Sequence, residues 1–225
     1  MKIAVFISGR GSNLQALIEG CQSGYVPAEI GLVVSNRPGA QGLKRAAAAG
    51  IPTAVVDHTT YDNRESFDAA LDAATRRAGC DFICLAGFMR ILTEDFVRSW
   101  RDRMLNIHPA LLPSFPGINC HARAIEMGVR ITGCTVHFCR PELDNGPIVT
   151  QAAVPVLPDD TEETLAARIL EAEHVIYPLA VKLIAEGRVR VINEKVRIMD
   201  GAYPETEKLV SPIADSKQPV GSGFS

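Results

Sequence analysis

Asn106 and His108 are two side chains whose types and spacing suit oxyanion stabilisation and acid–base chemistry. They lie near the end of an apolar run over residues 104–107, and a strand period of two places both on one face. An asparagine amide can donate to a developing oxyanion, and a histidine can act as an acid or a base near neutral pH. The pair therefore indicates a site that stabilises a tetrahedral centre, with a structural histidine at a strand end as the alternative.

Asp144 is a carboxylate that could complete this pair. It lies in a turn-like segment, residues 140–147, between two later strand candidates. Beside His108, its carboxylate would favour the imidazolium and so supply a proton donor to a collapsing tetrahedral intermediate. The sequence alone does not bring the two residues together, and an aspartate before Asn145-Gly146 is also a common turn residue.

A glycine-rich segment near the N-terminus has the pattern of an anion site. Gly9-x-Gly11-Ser12-Asn13 follows an apolar run over residues 2–8 and precedes a helical pattern. A strand, a tight loop and a helix N-terminus gather backbone N–H groups around one point, which favours phosphate. The segment is not a Walker A loop, and Leu14 occupies the third glycine position of a dinucleotide fingerprint. The pattern favours a mononucleotide-like ligand over NAD, with a plain β-to-α turn as the alternative.

Glu173 is the unusual residue of a long amphipathic helix near the C-terminus. Its spacing from Ile169 and Ile176 puts its carboxylate on or beside the apolar face. Because carboxylates are rarely buried without a partner, Glu173 is a candidate to meet substrate hydroxyls or an amine. The neighbouring His174 is the alternative, as a purely structural partner.

The elements that must position these residues alternate between strand and helix. This alternation predicts one α/β domain with a Rossmann-like, open, mostly parallel twisted sheet and helices on both faces. Ligands bind such sheets at the carboxyl ends of the strands, where Asn106 and His108 lie. The predicted strands are residues 2–8, 30–34, 53–56, 82–85 and 104–107, and the predicted helices between them are 40–49, 62–78 and 93–100.

Beyond residue 107 the sequence no longer alternates regularly between strand and helix patterns. Prolines stiffen residues 108–120, and a long helix is expected to begin near Asp159 and Asp160, with Pro178 kinking it. Residues from about 203 are expected to form a flexible tail. The other predicted elements are a short helix at 121–127, strands at 131–138 and 148–154, and a hairpin formed by 189–192 and 196–199.

Composition narrows the class of protein. The chain has 225 residues, of which 47% are hydrophobic and 22% charged, as in a folded domain. Its formal charge of −3 argues against a protein that coats nucleic acid or an anionic membrane, although a local basic pocket stays possible. The six cysteines show no CxxC, and His121 and His137 match no zinc-ligand spacing. The reducing cytoplasm is the expected compartment, a zinc site is not expected, and the composition is compatible with catalysis on a small anionic molecule.

Four ordered motifs together resemble the folate-dependent formyltransferases. The resemblance covers about residues 2–200. The four motifs are specific as a set, whereas the motif at residues 106–113 alone marks only the broader formyltransferase superfamily. It implies the formyltransferase fold over residues 1–200, with the phosphate site in the N-terminal half, the folate site in the C-terminal half, and a tail over residues 201–225. The motifs are Ser8-Gly9-x-Gly11-Ser12-Asn13-Leu14, Leu85-Ala86-Gly87-Phe88-Met89-Arg90-Ile91-Leu92, Asn106-Ile107-His108-Pro109-x-Leu111-Leu112-Pro113 and Glu142-Leu143-Asp144-x-Gly146-Pro147.

The resemblance also implies a reaction. The cosubstrate would be 10-formyltetrahydrofolate, and its formyl group would pass directly to the amine of 5′-phosphoribosylglycinamide, a step of purine biosynthesis. Asn106 and protonated His108 would stabilise the oxyanion, while Asp144 holds His108 charged and helps to remove the amine proton. No metal, nucleic acid or membrane would take part, and the protein would be a monomer or a homodimer.

Ligand contacts follow from the same resemblance. Glu173 would meet the ribose or glycinamide end of the ribonucleotide. One departure concerns Asn119-Cys120-His121, where the family usually has a His-x-His pair, because Asn119 can carry no charge. The other implied contacts to the ribonucleotide are Gly11, Ser12 and Asn13, which would hold its phosphate, and Leu14. The implied folate contacts are Arg64, Met89, Arg90, Ile91, Leu92, Asn106, Arg140, Pro141, Glu142, Leu143 and Asp144.

Two other enzymes and one binding module are alternatives to this transferase. A formyltransferase that acts on methionyl-tRNA typically adds a C-terminal RNA-binding domain, and a formyltetrahydrofolate deformylase usually adds an N-terminal regulatory domain. A non-catalytic nucleotide-binding module would need the glycine-rich loop but not Asn106, His108 and Asp144 together. The length of this chain and its charge of −3 favour the transfer to a small ribonucleotide.

Overall fold

The first half of the chain alternates strands and helices, and each predicted element is present to within two residues at either end. The computed structural model describes residues 1–201 and 209–211. Its elements in this half are β1 (Lys2–Ile7), α1 (Ser12–Gln22), β2 (Glu29–Ser35), α2 (Gln41–Ala48), β3 (Thr53–Val55), α3 (Arg64–Arg77), β4 (Phe82–Leu85), α4 (Glu94–Ser99) and β5 (Met104–His108), with a 3₁₀ turn at His58–Thr60.

The second half also follows the predicted order, with two corrections at element ends. The last hairpin turns on two residues, Asn193 and Glu194, because Lys195 already pairs with Ile192. Most of the predicted tail, residues 202–208 and 212–225, lies outside the described residues. The elements are α5 (Cys120–Glu126), β6 (Ile131–Phe138), β7 (Ile148–Pro155), α6 (Glu162–Ala185), β8 (Val189–Ile192) and β9 (Lys195–Ile198).

The start of α6 is the other correction. The prediction of a helix beginning near Asp159 and Asp160 was too early, because Thr161 is the N-cap and forms a capping box with Thr164. The Asp160 carboxylate is instead bound by Arg168 and accepts from the Leu157 N–H. From Glu162 the helix continues to Ala185 without interruption at Pro178.

The sheet is mostly parallel and has the strand order β3-β2-β1-β4-β5-β6-β7. Strands β1 to β5 pair in parallel, while β6 runs antiparallel to β5, and β7 antiparallel to β6. The hairpin of β8 and β9 forms a separate two-stranded sheet. The carboxyl ends of the parallel strands therefore share one edge, as the prediction requires.

Both faces of the sheet are covered by helices. Alternate residues of β1 belong to two separate cores, with Val5 in one and Phe6 in the other. The core containing Val5 includes Tyr177 of α6, and the core containing Phe6 includes Leu71 of α3 and Trp100. This arrangement confirms the predicted α/β fold class. No helix of the described residues has the length and apolar character needed to cross a membrane.

Candidate active site

Strands β5 and β6 bring the proposed catalytic residues together. Their antiparallel register places Asn106 opposite His137, and His108 opposite Thr135. His108 is buried at the carboxyl end of β5, and Asn106 is half-buried. The loop from β6 to β7 returns Asp144 to the same place, so residues distant in sequence form one cluster.

His108 faces hydrogen-bond acceptors at both ring nitrogens. Its Nδ1 lies 3.4 Å from Asp144 Oδ2, and its Nε2 lies 2.9 Å from the Phe115 carbonyl oxygen. Since a carbonyl can only accept, Nε2 carries a proton. Asp144 is itself held, because its Oδ2 accepts from the Gly117 N–H at 2.8 Å. The structure therefore brings His108 and Asp144 together, which the sequence alone does not do.

His137 orients Asn106, a role that the sequence does not reveal. His137 Nδ1 lies 3.0 Å from the Phe138 carbonyl oxygen, which makes Nδ1 the protonated nitrogen. Burial lowers the pKa of His137, so Nε2 stays unprotonated and accepts from Asn106 Nδ2 at 3.3 Å. The 3.7 Å approach of Asp144 to Nε2 is therefore not an ion pair. This contact uses one of the two N–H groups of the Asn106 amide.

The segment after β5 closes over His108 through Cys120. The Cys120 sulfur lies 3.3 Å from the Phe115 carbonyl oxygen and 3.2 Å from that of Gly117, and it is 3.5 Å from His108 Nε2. Asn119 is exposed and left-handed, with φ 58°, a conformation that asparagine tolerates better than most residues. The departure at Asn119 thus changes an exposed backbone turn and leaves the Asn106, His108 and Asp144 cluster complete.

The glycine-rich loop has the geometry of an anion site. Gly11 is the N-cap of α1 at φ 72°, and a Cβ there would lie 2.7 Å from the Cα of Gly42. Only glycine fits this close approach, which presents the first N–H groups of α1 to the edge of the sheet. The Leu14 side chain is fully buried in the core, so only its backbone could reach a ligand.

Glu173 is buried and meets the glycine-rich loop. Asn13 Nδ2 donates to Glu173 Oε2 at 2.7 Å, and burial raises the pKa of the carboxyl while this bond opposes the rise. The alternative in which His174 is its partner is wrong, because His174 Nε2 is buried and bonds to no atom of the described residues. The buried Asn13 Oδ1 likewise bonds to no described atom, which leaves an acceptor for a ligand.

Two adjoining cavities connect these groups. One of about 680 Å³ is lined by Glu173, His121 and the residues on either side of His108, and one of about 330 Å³ lies over the glycine-rich loop. They share Asn13 and Met89. Burial lowers the pKa of His121 and favours its neutral form. Within residues 1–201 and 209–211, no group of three or more His, Cys, Asp or Glu side chains is placed to hold a metal ion.

Most of the residues predicted to contact folate lie in the segment after β4 or in the β6–β7 loop, which together we call the rim, whereas Arg64 begins α3. Met89, Ile91 and Leu143 are large apolar side chains that are 68%, 66% and 62% exposed, which suits an aromatic ligand. The Met89 N–H donates to Ser8 Oγ at 2.7 Å, so this rim is tied to the stem of the glycine-rich loop. Arg64 and Arg90 are exposed. The remaining predicted rim residues are Leu92, Pro141 and Glu142; the Arg140 side chain is buried in ion pairs.

Comparison with known proteins identifies the family of this chain. The profile of the formyl transferase family matches residues 1–181. The phosphoribosylglycinamide formyltransferase of Haemophilus influenzae is 46% identical over 91% of this chain and 97% of that protein. The crystal structure of glycinamide ribonucleotide transformylase 1 from Symbiobacterium toebii is 48% identical and superposes with a TM-score of 0.87, over 89% of this chain and 94% of that one.

Longer proteins contain a similar region. The trifunctional purine biosynthetic protein adenosine-3 of Gallus gallus is 53% identical over 85% of this chain, which spans 19% of that protein's length. The chain therefore belongs to the formyl transferase family, and it resembles phosphoribosylglycinamide formyltransferases of that family over nearly their whole length.

Proposed function

We propose that the chain transfers the formyl group of 10-formyltetrahydrofolate to the amine of 5′-phosphoribosylglycinamide, which yields formylglycinamide ribonucleotide and tetrahydrofolate for purine biosynthesis. The observation that carries the proposal is the meeting of Asn106, His108 and Asp144 beside a cavity that reaches Asn13 and Glu173. Family membership supports the formyl donor, and the similarity to phosphoribosylglycinamide formyltransferases supports the acceptor.

The geometry suits direct attack by the amine. The N–H groups at the start of α1 would hold the phosphate, and Glu173 would hold the ribose or glycinamide end so that the amine faces β5. Attack forms a carbon–nitrogen bond and puts negative charge on the formyl oxygen. An N–H of Asn106 and the charge of His108 would stabilise that oxygen, and such donors act most strongly when they are preorganised and shielded from water.

Proton transfer completes the reaction. The attacking amine must lose one proton, and the folate nitrogen that leaves must gain one as its bond to the formyl carbon breaks. Asp144 is the carboxylate beside His108, and we assign it removal of the amine proton through a water molecule. The same water can deliver that proton to the folate nitrogen as the carbon–nitrogen bond breaks, so the proton lost by the amine is the one gained by the leaving group.

A folate absorbance assay tests the proposal. The protein is mixed with 10-formyltetrahydrofolate, with and without 5′-phosphoribosylglycinamide, and the release of tetrahydrofolate is followed. Release that depends on the ribonucleotide is the expected result. Release without it would indicate a hydrolase, and no release with either would indicate a binding protein.

The finer features of the prediction belong to the same proposal. We assign residues 1–200 to the catalytic unit and propose that its ligands are the two small molecules and not nucleic acid. We also propose that the protein is a monomer or a homodimer in the cytoplasm. Sedimentation with and without the ribonucleotide would test the assembly state.

A further inference from the structure

Arg140 is a buried cation whose guanidinium does not face the proposed active site. Its side chain is 4% exposed, and its Nε and Nη2 donate to Glu194 and Asp102, each at 2.6 Å. Nη1 donates to the Cys139 carbonyl oxygen at 2.9 Å. A buried guanidinium held by two carboxylates is costly to disturb, because removal of both would leave its charge uncompensated.

Both carboxylates come from residues in a conformation that L side chains disfavour. Asp102, just before β5, and Glu194 each have a φ of 56°, which lies in the left-handed region. Glu194 is the second turn residue of the β8–β9 hairpin, a position at which glycine is preferred. A glutamate there gives up that preference and places its carboxylate on Arg140. The two backbone outliers therefore converge on one side chain.

Arg140 occupies the stem of the loop that carries Asp144. The Phe138 N–H donates to the Pro147 carbonyl oxygen at 2.9 Å, which closes the two ends of the loop. A Cβ on Gly146 would lie 3.4 Å from Arg140 Cγ, so the aliphatic part of Arg140 packs beside the other end. Holding the guanidinium thus holds both ends of the stem, four residues before Asp144.

We propose that Arg140 is a positioning residue, and that its ion pairs with Asp102 and Glu194 make the β8–β9 hairpin a support for the folate side of the active site. The inference rests on the proposed function, because it assigns the supported loop to folate. Within residues 1–201, no hydrogen bond joins the hairpin to His108 or Asn106. Its effect would reach the site through the loop stem alone.

The test uses the double variant Asp102→Asn/Glu194→Gln, which keeps the side-chain shapes and removes both negative charges. Hydrogen exchange of peptides covering residues 140–147 is expected to become faster by about tenfold or more, because the loop opens locally. Exchange of peptides covering residues 8–14 is expected to stay unchanged. This measurement needs no catalytic activity.

Kinetics then separate positioning from a merely structural role. The KM for 10-formyltetrahydrofolate is expected to rise by about tenfold, while the KM for the ribonucleotide stays unchanged. Glu194→Asp keeps the negative charge. With Asp102 retained, this variant should therefore show only part of the KM increase of the double variant. Arg101→Gln is the matched control, because Arg101 also pairs with Glu194 but is exposed.

The outcomes distinguish the two proposals. Unchanged exchange in residues 140–147 of the double variant would overturn the positioning role. Faster exchange with an unchanged folate KM would overturn it too, since the ion pairs would then support only the fold. A wild-type protein that transfers no formyl group refutes the proposed function, and the exchange measurement still decides whether Arg140 holds the loop.

Discussion

At the scale of single residues, His137 matters because its unprotonated Nε2 fixes the direction of the Asn106 amide. We predict that His137→Phe lowers kcat by about 10- to 100-fold, because a small misplacement of a catalytic donor is expensive in rate. The KM for the ribonucleotide should change little, since its proposed contacts lie on α1 and α6. Steady-state kinetics with both substrates measure this split.

His137→Gln is the matched control for that variant. A Gln Oε1 can occupy the position of Nε2 and accept from Asn106, so this variant should retain most of the wild-type kcat. Equal losses in the Phe and Gln variants would show that the imidazole acts in some other way. Circular dichroism of both variants verifies that the fold is retained.

Glu173 makes the stability of the fold depend on pH. Burial raises its pKa above 4.5 in the folded state. At a pH well below 4.5 the Glu173 carboxyl is protonated in both the folded and the unfolded state. As the pH rises, the carboxyl ionises first in the unfolded chain, so its contribution to the stability of the fold is lost as the pH rises through the folded-state pKa. We predict that the free energy of unfolding of wild type, relative to Glu173→Gln, falls from pH 4 to pH 7 by about 1.4 kcal/mol per unit of pKa elevation.

Urea unfolding of both proteins at several pH values tests this prediction. The comparison cancels the titration of all other groups, because glutamine keeps an oxygen that can accept from Asn13. Parallel stability curves for the two proteins would contradict it. The same variant should raise the KM for the ribonucleotide if Glu173 meets that ligand.

At the scale of elements, the approach of α1 to α2 depends on Gly11. We predict that Gly11→Ala destabilises the fold by about 2–4 kcal/mol, because a positive φ is strained and the new Cβ would overlap Gly42. It should also raise the KM for the ribonucleotide. Denaturant unfolding and kinetics on one preparation measure both effects.

Gly50→Ala separates the two causes. Gly50 has the same φ of 72°, but a Cβ there meets no atom within 4 Å. Its cost should therefore be only the backbone strain, about 1–2 kcal/mol, with unchanged kinetics. Equal destabilisation by the two substitutions would refute the role of the contact with Gly42.

Elements were predictable from the sequence where their signals are local. Apolar runs and helical spacing predict the strands and helices of the sheet, because burial imposes these periods on each segment by itself. Contacts between segments were not predictable in the same way. The pairing of Asn106 with His137 depends on the register of β5 against β6, and Asn13 meets Glu173 across 160 residues. The four motifs in their order resemble a known family, and this resemblance predicted that Asp144 meets Asn106 and His108, which no single segment reveals.

At the scale of the whole molecule, the formal charge of −3 does not describe the field at the proposed site. The exposed Arg10 and Arg37 line the cavity over the glycine-rich loop. A ribonucleotide phosphate would be attracted to this local positive charge, and salt would screen that attraction because the Debye length is about 10 Å at 0.1 M. We predict that kcat/KM for the ribonucleotide falls as ionic strength rises, while kcat changes little.

Arg37→Gln should lower kcat/KM at low salt and flatten its dependence on ionic strength, since one cation of the cavity is removed. Arg77→Gln is the matched control, because Arg77 is also exposed but ends α3, just before β4 begins. It lies at the amino ends of the parallel strands, on the side away from the site. If both variants changed the salt dependence equally, the average charge of the molecule, rather than the charge placed at the glycine-rich loop, would govern capture of the substrate.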